Sequence, residues 1–227
     1  MVKKADDKKL DNPVWHSLSE CHRQFSVDYE GIKFYHPDYC PFGGFITTKA
    51  LSKHIDAYSK MVDNFYIVGE RPELPTHLQL KQELVCLQMV LTNGIDTRIK
   101  ENITPLTSEH IGDLFRLVNL VQPGYFKPKT ALLGNYFGIF KNGELVAATG
   151  ERMRMNDFVE VSAIVTHPNH TRQGYAKQLI AHTTNTIFNQ HQTPYLHVVE
   201  NNIGAINLYE HSGFVTRRKI SFWNITK

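Results

Sequence analysis

Apolar residues in the second half of the chain repeat with two periods. In residues 158–166 polar and apolar positions alternate, which predicts a strand with one set of side chains on each face: Val159, Val161, Ala163 and Val165 opposite Glu160, Ser162, Ile164 and Thr166. In residues 176–188 the spacing changes to three and four, which predicts a helix with a continuous stripe: Ala176, Leu179, Ile180, Thr183, Thr184, Ile187 and Phe188. Strands and helices are therefore expected to alternate here.

Turn and capping residues divide this half into elements. Thr107 can cap a helix that Pro123 and Gly124 end, and Asn142-Gly143 is a strong hairpin signal. Asn202 and Gly213 fit the two ends of a later helix. The predicted order is helix, two hairpin strands, strand, helix, strand, helix and strand. We therefore expect an α/β fold with a mixed sheet, in which residues 158–200 form a parallel strand–helix–strand unit.

The first half is less regular. We expect helices around residues 15–21, 48–61 and 77–91, and strands at 31–37 and 63–69. The third of these helices is predicted from Leu80, Leu84, Leu87 and Leu91. A boundary near residues 101–106 divides the chain into 1–104 and 105–227, and residues 1–10 are expected to form a solvated tail. The first half contains no motif to which chemistry can be assigned.

Composition limits the classes of function. The chain has 227 residues, of which 41% are hydrophobic and 21% charged, as in a soluble globular protein. A net charge of +3 is too small to indicate nucleic acid or an anionic membrane as a partner. No run reaches the ~18 apolar residues of a membrane span. Three scattered cysteines without CxxC spacing favour a reducing, cytoplasmic setting.

Candidate chemistry begins where the strand at 158–166 leads into the next helix. The unpaired N–H groups of a helix N-terminus favour phosphate, and Gly174 lets a ligand approach the main chain there. The bland alternative is a tight connection without a ligand. GxGxxG and GxxxxGK[ST] are absent, which argues against a dinucleotide-binding Rossmann unit and against a nucleoside triphosphatase.

VSAIVTHPNHTRQGYAKQLI followed by NNIGAINLYEHSGF resembles the GNAT superfamily of acyl-CoA-dependent N-acetyltransferases over roughly residues 105–227. The family's pyrophosphate motif maps to residues 171–176, where Thr171 stands in place of the usual Gln or Arg. The resemblance implies acetyl-CoA as cofactor, with the pantetheine arm lying between two splayed parallel strands. The cofactor-binding positions it implies are Ile164, Val165, Thr166, Thr171, Arg172, Gln173, Gly174, Tyr175, Ala176, Lys177, Asn202, Asn207 and Tyr209.

A longer run, PGYFKPKTALLGNYFGIF with the strands that follow, is similar to a two-part branch resembling the glycine N-acyltransferase group. In that group a divergent N-terminal half precedes the catalytic half. The resemblance therefore implies that residues 1–104 are a divergent α/β region, with a degenerate GNAT-like unit as one alternative, and that residues 105–227 are the GNAT domain.

The implied reaction is attack of an amine on a thioester. An amine with a pKa near 10.4 must lose a proton first, so a general base is expected. Glu160 is the first candidate and Glu151 the second, although both could be ordinary strand residues. Tyr209 matches the family's usual general acid for the departing thiolate. The alternative for Tyr209 is an aromatic side chain that only packs the helix. The alternative for Asn202, which the resemblance places at the cofactor, is a helix cap without a ligand.

The resemblance also implies a small-molecule amine acceptor, bordered by Tyr125, Phe126 and Tyr136. These three residues could equally pack the core. No metal is expected, since His167 and His170 lack a carboxylate or cysteine at ligand spacing. An acyl-cysteine at Cys40 or Cys86 is disfavoured.

The chain is expected to be a monomer or a homodimer. Two further alternatives stay open: a non-catalytic acyl-CoA-binding or protein-interaction module, and an enzyme that uses a longer acyl donor.

Overall fold

The computed structural model describes residues 7–227; residues 1–6 lie outside it. The α-helices are α1 (Pro13–Ser19), α2 (Leu51–Ser59), α3 (Ile111–Val121), α4 (Tyr175–Asn189) and α5 (Ile203–His211). The strands are β1 (Ser26–Tyr29), β2 (Ile32–Tyr35), β3 (Phe42–Phe45), β4 (Asn64–Val68), β5 (Gln79–Val90), β6 (Thr104–Pro105), β7 (Tyr136–Lys141), β8 (Glu144–Arg154), β9 (Phe158–Thr166), β10 (Thr193–Val199) and β11 (Val215–Thr226). Short 3₁₀ turns cover Asp7–Asp11, Arg23–Phe25, Ser108–His110, Thr130–Leu133 and Pro168–His170.

All these strands form one sheet, in the order β1-β2-β3-β4-β11-β5-β10-β9-β8-β7-β6. The α/β class with a mixed sheet is therefore confirmed. β5 lies between β10 and β11 and is antiparallel to both. Strands from either side of the predicted boundary at residues 101–106 thus share hydrogen bonds across the middle of the sheet.

The second half follows the predicted order of elements. Asn142 and Gly143 have φ of 51° and 84°, which is the turn that joins β7 to β8 as a tight hairpin. β9 and β10 are parallel and are connected through α4, as the pattern predicts. The side chain of Asn202 accepts a hydrogen bond from the amide of Ala205 and so caps α5.

The simple alternation predicted for β9 is wrong beyond residue 162. Val159 and Val161 pack against Ile187 of α4, whereas Ala163 and Val165 lie in the cluster around α3 on the opposite face of the sheet. The cause is an irregularity at Ala163, whose φ is +51°: the pairing with β8 passes from Ala148–Val165 to Gly150–Ser162, which leaves one extra residue in β9.

Two expectations for the first half are also wrong. Residues 79–90 form strand β5 and not a helix. Residues 7–10 are not a solvated tail, because Leu10 is fully buried in the core and Lys9 forms ion pairs with Glu20 and Asp157. The remaining predicted tail residues, 1–6, lie outside the described residues. The helices near 15–21 and 48–61 and the strands near 31–37 and 63–69 correspond to α1, α2, β2 and β4.

None of the helices in residues 7–227 has the length and apolar character needed to cross a bilayer.

Candidate active site

The sheet opens between its two central parallel strands. β9 and β10 pair at only three positions, ending at Glu160 opposite Tyr195, and then separate. Each strand keeps its partner on the outer side, which is β8 for β9 and β5 for β10. Residues 161–165 and 196–199 face each other across a cavity of about 300 Å³. A gap of this kind exposes two free strand edges to a ligand.

The irregularity in β9 lies directly on this gap. Ser162, Ala163, Ile164 and Val165 all line the cavity, although their side chains point to different faces of the sheet. The predicted residues Ile164 and Val165 are therefore at the opening, while Thr166 is half-buried and lies outside the cavity lining. An extended ligand here could form hydrogen bonds with main-chain N–H and C=O groups that would pair with each other if the two strands continued side by side.

The N-terminus of α4 follows β9 and is open. Gly174 is its N-cap residue with φ of +74°, and no side chain caps the helix. A Cβ added to Gly174 would meet no atom within 4 Å, so free space lies above this turn. Thr171, Arg172, Gln173 and Lys177 are exposed, whereas Tyr175 is buried with Lys141 above its ring and Ala176 is half-buried. Unpaired amides beside basic side chains suit an anion.

α5 brings Tyr209 and Asn202 to the same cavity. Tyr209 is mostly buried, and burial raises the pKa of its phenol to about 12. Its hydroxyl has no hydrogen-bond partner within the described part of the chain, which leaves it available to a ligand. The Asn202 side chain caps α5, and Asn207 is exposed and does not line the cavity.

Glu160 lies at the floor of the gap and is held in a buried ion pair. Both carboxylate oxygens accept hydrogen bonds from Arg152, at 2.7 Å each, and Oε1 also contacts His197 Nδ1 at 2.8 Å. Burial alone would raise the pKa of Glu160, but the guanidinium and the imidazole override it and lower the pKa to about 2. Glu160 is therefore a much weaker proton acceptor than an ordinary glutamate.

The contacts of His197 extend this network into β5. The second nitrogen, Nε2, lies 3.1 Å from the side-chain nitrogen of Gln88, which also donates to the carbonyl of Leu10 at 2.8 Å. Arg217 donates to the side-chain oxygen of Gln88 and so fixes the orientation of the amide. In this orientation the Gln88 amide presents its nitrogen to Nε2 of His197, while Nδ1 faces Glu160.

Glu151 and Tyr136 also lie outside the cavity lining. Glu151 is fully buried and accepts hydrogen bonds from Asn135 and Arg154. Tyr136 is buried with its hydroxyl unpartnered among the described residues, and burial raises its pKa. Tyr125 and Phe126, the other two residues expected at an acceptor site, line the cavity.

Sequence reasoning missed the residues that the first half contributes. Phe42 of β3 and Leu84 and Cys86 of β5 line the cavity beside Tyr125 and Phe222. Burial raises the pKa of both Cys86 and Cys40 to about 12, which suits neither thiol for acyl transfer.

Arg152 and His197 were also missed. His197 is a single histidine among mostly apolar residues of β10, a pattern that indicates a buried partner. Arg152 shares the end of β8 with Glu151 and Arg154 and gives no such signal. Within residues 7–227 no cluster of His, Cys, Asp and Glu side chains could hold a metal ion.

Comparison with known proteins agrees with this geometry. Residues 136–223 match the model of the FR47-like protein family. The chain is similar to a structure from Novosphingobium aromaticivorans described as a GNAT-family acetyltransferase, with 26% identity, a TM-score of 0.86 and coverage of 96% of this chain and 98% of that one. No curated protein matches the sequence.

Two more distant structures have the same fold. A GCN5-related N-acetyltransferase from Kribbella flavida has 13% identity and a TM-score of 0.64, covering 99% of this chain and 96% of its own. A GCN5-related N-acetyltransferase-like protein from Streptococcus suis has 10% identity and a TM-score of 0.64, with coverage of 93% and 92%. The chain thus has the mixed α/β fold of the GNAT acetyltransferases, opened between β9 and β10.

Proposed function

We propose that the chain is an N-acetyltransferase that moves an acetyl group from acetyl-CoA to a primary amine. The observation that carries this proposal is the combination of three features: the gap between β9 and β10, Tyr209 in the lining of the same cavity, and the uncapped N-terminus of α4, which follows β9 in the chain. Each feature has a simpler structural explanation by itself. Together they provide sites for an extended arm, for its anionic end and for its reacting group.

The residues present fit coenzyme A. The space above Gly174 and the main-chain amides of residues 171–177 would hold the diphosphate, with Arg172 and Lys177 adding positive charge. The free edge of β9 at Ile164 and Val165 would bind the pantetheine arm, with Thr166 at its outer end. When bound, the cofactor supplies an activated thioester. Asn202 borders this path, whereas Asn207 is exposed and lies outside the cavity lining.

We assign Tyr209 as the general acid. Its pKa of about 12 keeps the phenol protonated at neutral pH, so it can donate to a thiolate that forms beside it. The hydroxyl has no competing partner in the described chain, which leaves its proton free for this step.

Among residues 7–227, the cavity lining contains no carboxylate with the ordinary basicity of a general base. Glu160 is the carboxylate in the cavity lining, but both of its oxygens are engaged and its pKa of about 2 makes it a weak acceptor. We propose that Glu160 holds Arg152 and His197 in place, and that the proton of the amine leaves through water. Glu151, the second candidate, is bonded to Asn135 and Arg154 away from the lining.

This arrangement keeps a second function in view. A module that binds acyl-CoA without turnover would need the gap and the α4 turn but no proton acceptor. Because both carboxylate oxygens of Glu160 already accept hydrogen bonds, this residue does not distinguish an enzyme from such a module. Release of thiol from acetyl-CoA in the presence of amines separates the two functions. Calorimetric binding of coenzyme A without thiol release for any amine would support the module, and the absence of both would contradict the whole assignment.

A further inference from the structure

The part of the cavity beyond the gap has aromatic walls. Phe42 lies 5.3 Å from Phe222 and 6.4 Å from Tyr125, measured between ring centroids. Leu84 and Cys86 of β5 complete this wall. An apolar ligand that enters here loses its contact with water and gains contact with apolar side chains, which is favourable.

The charges in the same region cancel. Among the described residues that line the cavity, Glu160 is the one carboxylate, and Arg152 neutralises it through two hydrogen bonds. The guanidinium itself lies over Phe42, at 4.7 Å from the ring centroid. The cavity therefore offers no free negative charge to a second or third ammonium group. Burying an unpaired ammonium in such a place is strongly unfavourable.

The same surroundings act on the reacting amine. Loss of water disfavours the charged form of an amine, so its pKa falls in this cavity. The neutral form is the nucleophile, and an amine that binds without its proton requires no strong base in the protein. This agrees with the engaged state of Glu160.

We infer that the acceptor is a small monoamine whose body is aromatic or branched aliphatic, bound against the wall that Phe42, Tyr125 and Phe222 form. This inference rests on the proposed function. In the reaction the amine nitrogen forms the C–N bond to the acyl carbon, and the C–S bond breaks with its electron pair on sulfur. Tyr209 supplies the proton that sulfur gains and is reprotonated by water, and the proton that nitrogen loses passes to water.

Turnover and binding test the inference separately. We would compare 2-phenylethylamine and 3-methylbutylamine with spermidine, kanamycin and glycine, by kcat/KM for thiol release from acetyl-CoA and by calorimetric titration of the full chain with each amine alone. The two apolar amines are expected to exceed the other three by about tenfold or more in both measurements, because an apolar group that fits a hydrophobic pocket contributes roughly 10–200-fold. Equal or tighter binding of spermidine, kanamycin or glycine overturns the inference.

The calorimetric titrations test the preference for apolar amines even if no amine is acetylated. In that case the proposed transferase function fails, while the binding order still supports or overturns an apolar amine site.

A matched pair of variants locates the site. Tyr125→Ser removes one aromatic wall and should weaken binding of 2-phenylethylamine about tenfold. Tyr39→Ser is the control, since Tyr39 is a partly buried aromatic that packs against Phe25 and does not line the cavity. Binding of coenzyme A reports that both variants are folded. If the two substitutions change amine binding equally, the aromatic wall is not the site.

Discussion

Arg152 donates two hydrogen bonds of 2.7 Å to the two carboxylate oxygens of Glu160, and both side chains are largely withdrawn from water. The guanidinium and the carboxylate each compensate the burial of the other. Removing one partner leaves an uncompensated charge in the interior.

The first prediction follows from this pair. Glu160→Gln and Arg152→Met should each lower the free energy of unfolding by roughly 3–5 kcal/mol, because each leaves a buried charge unpaired. The double variant should lose clearly less than the sum, since it removes both charges. Urea unfolding of the four proteins measures this coupling. Additive losses would show that the ion pair is not a unit.

Tyr209→Phe tests the acid. The substitution removes only a hydroxyl without a partner in the described chain, so the free energy of unfolding should change little. The kcat for acetyl transfer should fall roughly 100-fold, at the lower end of the usual range for general acid catalysis. Tyr195→Phe is the control: its hydroxyl donates to the carbonyl of Met153 and lies outside the cavity lining, so it should lose stability and keep kcat. Equal kcat values for the wild type and Tyr209→Phe would remove the assignment.

Gly174→Asp tests the anion site at α4. Aspartate tolerates positive φ better than most residues and is a good N-cap, but its carboxylate would occupy the place of the diphosphate. The Kd for coenzyme A should rise at least about tenfold, because a like charge replaces an open anion site. Gly143→Asp is a matched control, with φ of +84° and equally open surroundings in the β7–β8 turn. Calorimetry on both variants separates backbone strain from loss of the site.

His22 gives a prediction for pH. Its Nδ1 atom lies 2.8 Å from the hydroxyl of Tyr35 and 3.2 Å from that of Ser17, and burial lowers its pKa to about 4. The unfolded chain takes up this proton near pH 6.5, before the folded chain does. Stability should therefore fall by up to about 3 kcal/mol between pH 6.5 and 4.

Urea unfolding across this range measures the effect, and His22→Gln should flatten the profile. The contribution of Glu160 lies lower, because its pKa in the folded chain is below its ordinary value. It is lost only as the pH falls from about 4.5 towards 2. If the free energy of unfolding of His22→Gln still falls steeply between pH 6.5 and 4, the pH dependence belongs to another group.

Truncation tests the predicted division at residue 104. In residues 105–227 alone, β10 and β11 would lose β5 between them, including its pairing from Gln79 to Val90 with β11. Two long unpaired edges beside exposed apolar surface favour aggregation. The truncated chain should lack a cooperative thermal transition by circular dichroism. A monomeric fragment with a sharp transition would show that the second half folds independently.

The sequence predicted most of the second half because its signals are local. The turn at Asn142-Gly143, the cap at Asn202 and the stripe in α4 each depend on residues a few positions apart. β5 is predicted as a helix because its leucines fit a helical spacing, whereas in the structure distant segments pair with both of its edges over residues 86–90. No local pattern distinguishes such a strand from a buried helix.

The site was predicted in part for the same reason. The α4 turn and Tyr209 stand in continuous motifs. The ion pair between Arg152 and Glu160 depends on the register between β8 and β9, and the contact with His197 depends on where β10 joins β9. The irregularity at Ala163 changes which residues of β9 point to each face of the sheet, and no glycine or proline stands there to indicate it in the sequence.

The placement of β5 has a consequence for how such a protein can change. This strand comes from the first half of the chain, pairs on both sides with strands of the second half, and also places Leu84 and Cys86 in the cavity lining. If the proposed amine site is correct, its preference for one amine over another cannot be exchanged by swapping a domain. It must shift through single substitutions that the centre of the sheet can tolerate.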